Sequence, residues 1–592
     1  MRMDYIPPTR RLRVLNAIIV ALISVLVGRL WQIQVLQGRQ FLRLSEENRV
    51  RDYTITAPRG VIYDRKGRPL VSNRPSFTVA ILPLELIEPV KVLPHLAALI
   101  GLPIEEIRGR IEANRKRPFE PVRIRRDVGA GVVATIEENR LDLPGVIILA
   151  EPVRHYLYGQ MGAHVFGYVG EVSEAELAER RDQGYKLGDL IGKAGVERVY
   201  EPVLRGADGR LRMEVDAFGR PLRVLQQVAA IPGRPIVLAL DLSLQKAAYE
   251  GLRASGQRSG AVVAMDPRTG EILAMESMPS YDPNLFAIGI TAQKWQALTT
   301  DPLHPMLNRA IGAAFEPGSV FKIVTATAAL EEGIVNRTST FYAPGYFRLG
   351  RWVFKDLRAW GTVTFLQGIQ NSINVVFYTL GFRLGGEKLA AYARKMGLGE
   401  ETGVDLTGEI AGTIPSPSTK LQLIGEPWYP GDAVNMSIGQ GAVTVTPLQV
   451  ARMISSVANG GKLLQPHVLL QSQGADRKPQ PAPVVVQASG MYSTKTLAVL
   501  HEGLRAAVER GTGRATNLKQ VAVAGKTGSA ENPRGKPHAW FAGYAPVGAP
   551  RVAVVAFVEH GFRGGLAAAP IVRRVLEAAF PAPEASARET QP

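Results

Sequence analysis

Ser319 and Lys322 lie three residues apart in a stretch that is otherwise almost wholly apolar. Val320, Phe321, Ile323, Val324, Ala326, Ala328, Ala329 and Leu330 surround them, and only Thr325 and Thr327 add polarity. Glu316-Pro317-Gly318 reads as a turn ahead of a helix beginning at Ser319. A helix that is apolar on nearly every face is buried, and residues i and i+3 are neighbours on one face. A lysine held in such surroundings has its pKa pushed down and becomes a usable base for a nearby hydroxyl. A serine at a helix start also lies among free backbone N–H groups that can stabilise an oxyanion. The chemistry this suggests is acyl transfer through a serine nucleophile.

Ser-x-x-Lys alone is weak, since Ser243-Leu244-Gln245-Lys246 is a second copy. That copy reads as the polar face of an amphipathic helix capped by Asp241, with Leu244, Ala247, Ala248 and Leu252 as its buried stripe. Two later elements single out Ser319. Ser372-Ile373-Asn374 follows between helical segments, just before Val375-Val376-Phe377-Tyr378. Lys526-Thr527-Gly528 follows inside a strand expected over residues 521–530. A Ser-x-Asn is more often a helix cap, and a Lys-Thr-Gly more often a turn. In this order and these contexts the three together are specific.

These elements resemble the penicillin-binding protein and serine β-lactamase superfamily. Within it the chain is similar to the class B monofunctional transpeptidases over nearly all of its length after Gln37. Ala57-Pro58-Arg59-Gly60 with Tyr63-Asp64-Arg65 resembles the first motif of their pedestal, and Gly192 to Glu197 with Tyr200-Glu201 and Leu204-Arg205-Gly206 the second. Gly397-Leu398-Gly399, Ile438-Gly439-Gln440-Gly441 and Thr446-Pro447-Leu448-Gln449 also fit. His538-Ala539-Trp540-Phe541-Ala542-Gly543-Tyr544 and Trp428-Tyr429-Pro430-Gly431-Asp432 are more similar to the rod-elongation branch, penicillin-binding protein 2, than to the septal one.

The resemblance implies a peptidoglycan D,D-transpeptidase that β-lactams inhibit covalently. Ser319 would attack the penultimate D-alanine carbonyl of a donor stem peptide, and Lys322 would take its proton. Ser372 would relay a proton to the leaving D-alanine, and Asn374 would hold the donor amide. Lys526 would supply charge for the substrate carboxylate, Thr527 and Ser529 would bind it by their hydroxyls, and Gly528 between them would complete the substrate-binding strand. The N–H groups of Ser319 and Ser529 would form the oxyanion hole. Position 529, usually threonine in the family, is serine here and keeps the hydroxyl. An amine of a second stem peptide would accept the acyl group. Some relatives carry a zinc cluster of His and Cys near the Ser-x-Asn element. This chain has no cysteine, and no histidine between His304 and His467, so no metal and no cofactor are expected.

The elements around these residues predict the fold. Residues 261–265 and 271–275 are apolar runs on either side of Arg268-Thr269-Gly270, a hairpin pattern. Three more strands are expected over 521–524, 539–544 and 552–558, with a mainly helical stretch between the two sets and a surface loop over 471–490. The expected fold is α/β: a five-stranded antiparallel sheet with helices plus an all-helical lobe, preceded by one transmembrane helix and an α+β pedestal. The expected boundaries are 1–13 cytoplasmic, 14–35 membrane anchor, 36–235 dimerisation-like pedestal, 236–580 transpeptidase domain and 581–592 disordered tail.

Arg2, Arg10, Arg11 and Arg13 precede the apolar run, so the arginines are expected to stay cytoplasmic and the bulk of the chain to lie on the periplasmic side of the inner membrane. The run has 22 residues from Val14 to Val35, enough for a ~30 Å hydrocarbon core. Leu26-Val27-Gly28-Arg29 lacks the small-residue pattern of a cleavage site. The net charge of +17 would attract nucleic acid, anionic lipid or anionic wall polymer. The densest basic run, Arg115-Lys116-Arg117 followed by Arg123, Arg125 and Arg126, lacks interleaved aromatics and reads as a solvated face. No nucleic-acid partner is expected. The resemblance implies another partner, a multi-span glycan polymerase of the shape, elongation, division and sporulation class (RodA-like). Alternatives are a septal class B enzyme, or a chain that mainly activates that polymerase. A bifunctional enzyme would need a glycosyltransferase domain before residue 236, and a hydrolytic relative would not need the pedestal.

Overall fold

Asp266 accepts the backbone N–H of Arg268, and Gly270 takes a positive φ of 88°. The turn they make returns the chain antiparallel, so that strand Gly260–Met265 pairs with strand Ile272–Met278. In this computed structural model the hairpin forms one edge of a five-stranded sheet. Val552–Val558, Gly535–Ala545 and Ala524–Asn532 follow across it in that order, every pair antiparallel. The last strand starts at Ala524 rather than 521; Val521 and Ala522 are partly exposed and stay outside it. The structure describes residues 8–39, 50–115, 120–215, 221–532 and 535–582. Arg2, Lys116, Arg117 and the tail expected to be disordered, from 583 onward, lie outside them.

Both faces of this sheet are covered, which is why its inner strands Gly260–Met265 and Val552–Val558 read as unbroken apolar runs. Alternation sends Ala261, Val263, Val555 and Phe557 into one core and Val262, Ala264, Val554 and Ala556 into the other. The second core is closed by helices Leu242–Ala254 and Gly564–Ala579. The first receives Val320, Phe321, Ile323 and Val324 and continues into the helical lobe. That lobe also carries two small hairpins, Thr340–Ala343 with Gly361–Thr364 and Tyr346–Leu349 with Trp352–Lys355. The expected loop over 471–490 is partly strand. Leu469–Gln473 pairs with Ile236–Leu238 and with Pro479–Pro481, because Gly474 to Lys478 closes a tight turn.

Contacts divide the chain into two compact units. One comprises residues 1–57, 76–151 and 207–231; the other 58–75, 152–206 and 232–592. The smaller unit contains the strands Val50–Ile55, Gly209–Val215 and Pro221–Val228 as a sheet, with a separate core around Val79, Ile81, Leu96 and Ile124. Its strand Val122–Val128 turns Arg123 onto Glu151 at 2.7 Å, so this part of the basic run is ion-paired. Its N-terminal helix Pro8–Trp31 runs on through a π-type turn, Gln32–Leu36. Leu12–Leu36 is long and apolar enough to cross a membrane. Arg29 donates to Gln32 Oε1 at 2.7 Å within it.

In the larger unit, the two motifs read as pedestal signatures meet. Arg59 lies 2.7 Å from both Glu197 and Glu201, and Arg154 lies 2.6 Å from Glu197. Tyr185 and the Gly192 N–H donate to Glu201 as well, each at 2.8 Å.

Candidate active site

Ser319 sits in a single 3-10 turn, Gly318–Val320, and the α-helix proper begins at Lys322 and ends at Glu331. The turn is fixed by backbone against backbone. Gly318 has φ 53° and donates its N–H to the Gly439 carbonyl at 3.0 Å. A Cβ on Gly318 would lie 2.7 Å from the Ser529 carbonyl oxygen. A Cβ on Gly528 would lie 2.9 Å from the Pro317 oxygen and 3.0 Å from Val320. Only glycine lets the strand carrying Lys526 and Ser529 come this close to the serine turn. Trp540, fully buried on the neighbouring strand, donates Nε1–H to the Glu316 carbonyl at 2.9 Å and holds the turn from behind.

Ser372 ends helix Phe365–Asn371, which the Thr364/Gln367 capping box starts, and Asn374 opens helix Asn374–Lys395. Ser372 has φ 58° and ψ 40°, a left-handed conformation that is strained for a residue with a side chain. Such strain persists only where surrounding contacts enforce it. Here Lys322 does so: its Nζ lies 2.7 Å from the Ser372 carbonyl, 3.0 Å from Ser372 Oγ and 2.6 Å from Asn374 Oδ1.

Lys322 is 1% exposed, and its side chain shares a pocket with Ile323, Ala326, Ile369, Phe377, Leu500 and Leu504 that has no room for water. Burial, with the charge of Lys526 adding to it, holds Lys322 well below the ordinary lysine value; the Asp356 carboxylate opposes the shift. Lys526 lines the same pocket and donates to the Thr527 carbonyl at 3.0 Å. Burial brings Lys526 down to about 7.

The remaining strand residues are already engaged. Thr527 Oγ1 lies 2.6 Å from Thr512 Oγ1, and the exposed Ser529 Oγ accepts from the Gly564 N–H at 3.3 Å. Ser319 is half-buried, and Lys322 spends its hydrogen bonds on Ser372 and Asn374 rather than on Ser319. The second Ser-x-x-Lys is different. Asp241 caps its helix at the Ser243 N–H, and Lys246 points outward towards Glu250 at 3.9 Å.

The roles of three positions were not evident from the sequence. Asp356 accepts the Val375 N–H at 3.0 Å and, among the described residues, is the carboxylate that acts on Lys322. It was legible as a lone acid in a basic stretch. Thr512 lies between Gly511 and Gly513, a turn signal after a helix. Trp540 alternates inward along its strand.

The penicillin binding protein transpeptidase domain matches residues 260–577, and the penicillin-binding protein dimerisation domain matches residues 54–238. The chain belongs to the penicillin-binding protein transpeptidase family. This penicillin-binding protein is 34% identical to the peptidoglycan D,D-transpeptidase MrdA of Acinetobacter baumannii, over 93% of its own length and 84% of that protein. It is 32% identical to MrdA of Escherichia coli K12, over 94% and 92%. Among solved structures, it resembles the Helicobacter pylori PBP2 solved in complex with MreC, with TM-score 0.76 and 27% identity over 90% and 99% of the two chains. A chain from a peptidoglycan synthase complex that coordinates polymerisation and crosslinking gives TM-score 0.71 and 35% identity over 96% and 98%.

Proposed function

We propose that this penicillin-binding protein is a peptidoglycan D,D-transpeptidase of cell-wall elongation with Ser319 as its nucleophile. One observation carries the reading: the hydrogen bonding of Lys322. A neutral amine has two N–H groups and one lone pair. The carbonyls of Ser372 and Asn374 take both N–H groups at 2.7 and 2.6 Å, which turns the lone pair to the Ser372 hydroxyl at 3.0 Å and makes the pair a route for a proton.

Ser319 Oγ attacks the penultimate D-alanine carbonyl, and its proton passes to Lys322 Nζ. The N–H groups of Ser319 and Ser529 donate to the oxyanion. As the C–N bond breaks, the proton moves from Lys322 through Ser372 Oγ to the leaving D-alanine nitrogen. The amine of a second stem peptide then attacks the Ser319 ester, loses its proton along the same path, and restores the serine hydroxyl. Lys526, with the hydroxyls of Thr527 and Ser529 on the Gly528 strand, receives the donor carboxylate, and Asn374 holds the donor amide. A β-lactam carries an acyl group and a carboxylate in the same relation and traps the ester.

The reading extends to the whole chain. Residues 14–35 anchor it as a single pass, with 1–13 cytoplasmic and the pedestal, 36–235, and catalytic domain, 236–580, outside. Its partner is a multi-span glycan polymerase; the likeness to a chain from a synthase complex supports this. So does Arg29, since an isolated charge inside a span costs about 2.5–3.5 kcal/mol and a polar group on a second helix offsets it.

The test is mass spectrometry of the intact protein after incubation with a penicillin. A single adduct that disappears in Ser319→Ala and persists in Ser243→Ala is expected. An adduct retained by Ser319→Ala overturns the assignment.

A further inference from the structure

The hairpin Tyr346–Leu349/Trp352–Lys355 is bound to the start of the helix that carries Asn374. Its inward residues, Phe347 and Phe354, pair across the strands and stack on that helix. Phe354 lies 5.6 Å and Phe347 6.3 Å from Tyr378, and Phe347 lies 6.1 Å from Phe382. Tyr378 donates to the Lys355 carbonyl at 3.3 Å, and Asp356, the next residue, holds the Val375 N–H. The hairpin is therefore fixed beside Ser372 and Asn374.

Its outer face is what the fold does not explain. Tyr346 pairs with Lys355 and Arg348 with Val353 on the solvent side, and all four are exposed. Trp352, at the turn, is 62% exposed, with the Arg351 guanidinium 5.1 Å from its ring centre. Residues 346–358 hold four cations, Arg348, Arg351, Lys355 and Arg358, against one acid, Asp356, which is turned inward. Among the described residues none of the four is ion-paired, whereas Arg123, Arg309 and Arg337 elsewhere all are. Unpaired like charges repel, and an exposed indole gains nothing from water. The combination of flat rings and free cations at the rim of a reaction centre suits a ligand with carboxylates and sugar rings.

We infer that this face binds the peptidoglycan strand whose stem peptide reacts at Ser319. Arg348, Arg351 and Lys355 receive stem-peptide carboxylates, and Tyr346 and Trp352 receive the C–H faces of the sugars. The inference rests on the transpeptidase reading above and names how its polymeric substrate is held. An acidic protein or an anionic lipid surface would need the same cations but not the peptides on the strand.

The experiment uses full-length protein in detergent, soluble uncross-linked peptidoglycan strands, and the same strands stripped of peptides by an amidase. Arg348→Glu with Lys355→Glu is expected to weaken binding of intact strands by about tenfold or more, one decade being about 1.4 kcal/mol. Stripping the peptides should weaken wild type by a similar factor and leave the double variant unaffected. Trp352→Ala should weaken binding of both kinds of strand. Penicillin acylation reports separately on the Ser319 site and is expected to stay within about twofold of wild type in every variant, because that small ligand does not reach the hairpin. Unchanged strand affinity in the double variant overturns the inference. So does equal affinity for intact and stripped strands, or a loss of binding to anionic vesicles in place of strands. Absence of acylation in wild type would instead remove the Ser319 reading.

Discussion

Two buried charge clusters in the larger unit are built on opposite terms. Around Arg59, two guanidiniums face two carboxylates at 2.6–2.7 Å. Burial opposes the charges, but Glu197 and Glu201 keep Arg59 above its ordinary value, and Arg154 with Arg59 keeps Glu197 below its own. Around Lys322, two lysine side chains line one apolar pocket and, among the described residues, touch no carboxylate, and both are driven down. The opposite charges of the paired cluster hold one another in place, and it serves as a fixed joint. In the unpaired cluster burial brings Lys526 down to about 7 and Lys322 well below its ordinary value, at the expense of stability.

The sharpest way to break this contrast is at Lys322. Lys322→Arg keeps the charge but cannot act as a base, so acylation by penicillin should fall by about 100-fold to 10 000-fold. Stopped-flow labelling measures it, and a near wild-type rate would remove the base role. Lys322→Met should lose acylation as fully while keeping a Tm at or above wild type, since an unpaired buried amine has gone. Next is the paired cluster. Glu197→Gln leaves Arg59 and Arg154 buried without Glu197's charge and should cost about 3–5 kcal/mol of stability, read by chemical denaturation. If Glu197→Gln were the milder of the two, the contrast would be false.

A smaller effect lies in pH. In the proposed mechanism the charged form of Lys526 receives the carboxylate, and that form is lost as pH rises through about 7. The second-order labelling rate should therefore fall above that pH, by up to about tenfold per unit. In Lys526→Arg the falling limb should vanish, whatever the absolute rate. A limb that persists would assign it to another group.

Smallest is Glu276, a buried acid with donors but no cation. The Gly162 N–H and Gln245 Nε2 donate to it at 2.9 and 2.6 Å. Burial pushes it from 4.5 up to about 8. A raised acid contributes stability that is fully present below 4.5 and lost as pH rises through 8. Glu276→Gln, which imitates the protonated form, should flatten that dependence and raise the Tm at pH above 8 by about 3 °C. Calorimetry across that range decides it.

The helix after Ser319 and the strands Gly260–Met265 and Val552–Val558 were legible because each is mainly or wholly apolar, and burial on all sides leaves that mark. What spacing suggested for Lys322 was a pairing with Ser319, three residues away. Its hydrogen bonds go instead to residues 50 and 52 positions along, which only the packing of the helical lobe brings near. The hairpins over 340–364 were hidden by a helical reading of their surroundings. Yet Phe341-Tyr342-Ala343-Pro344-Gly345-Tyr346-Phe347 and Leu349-Gly350-Arg351-Trp352 have the aromatic alternation and turn residues of strands. Asp356 could not be placed beside Lys322 without them.

The glycines around Ser319 set how this site can change over generations. Gly318, Gly439 and Gly528 each meet backbone at a distance that admits no added methyl, 2.7, 2.3 and 2.9 Å respectively. Variation there breaks the serine turn and with it the enzyme. An inhibitor that reads only the N–H groups of residues 319 and 529 and the glycine wall beside them therefore meets a surface closed to selection. Heritable escape has to be found at exposed neighbours such as Ser529, where a side chain can change without displacing the backbone.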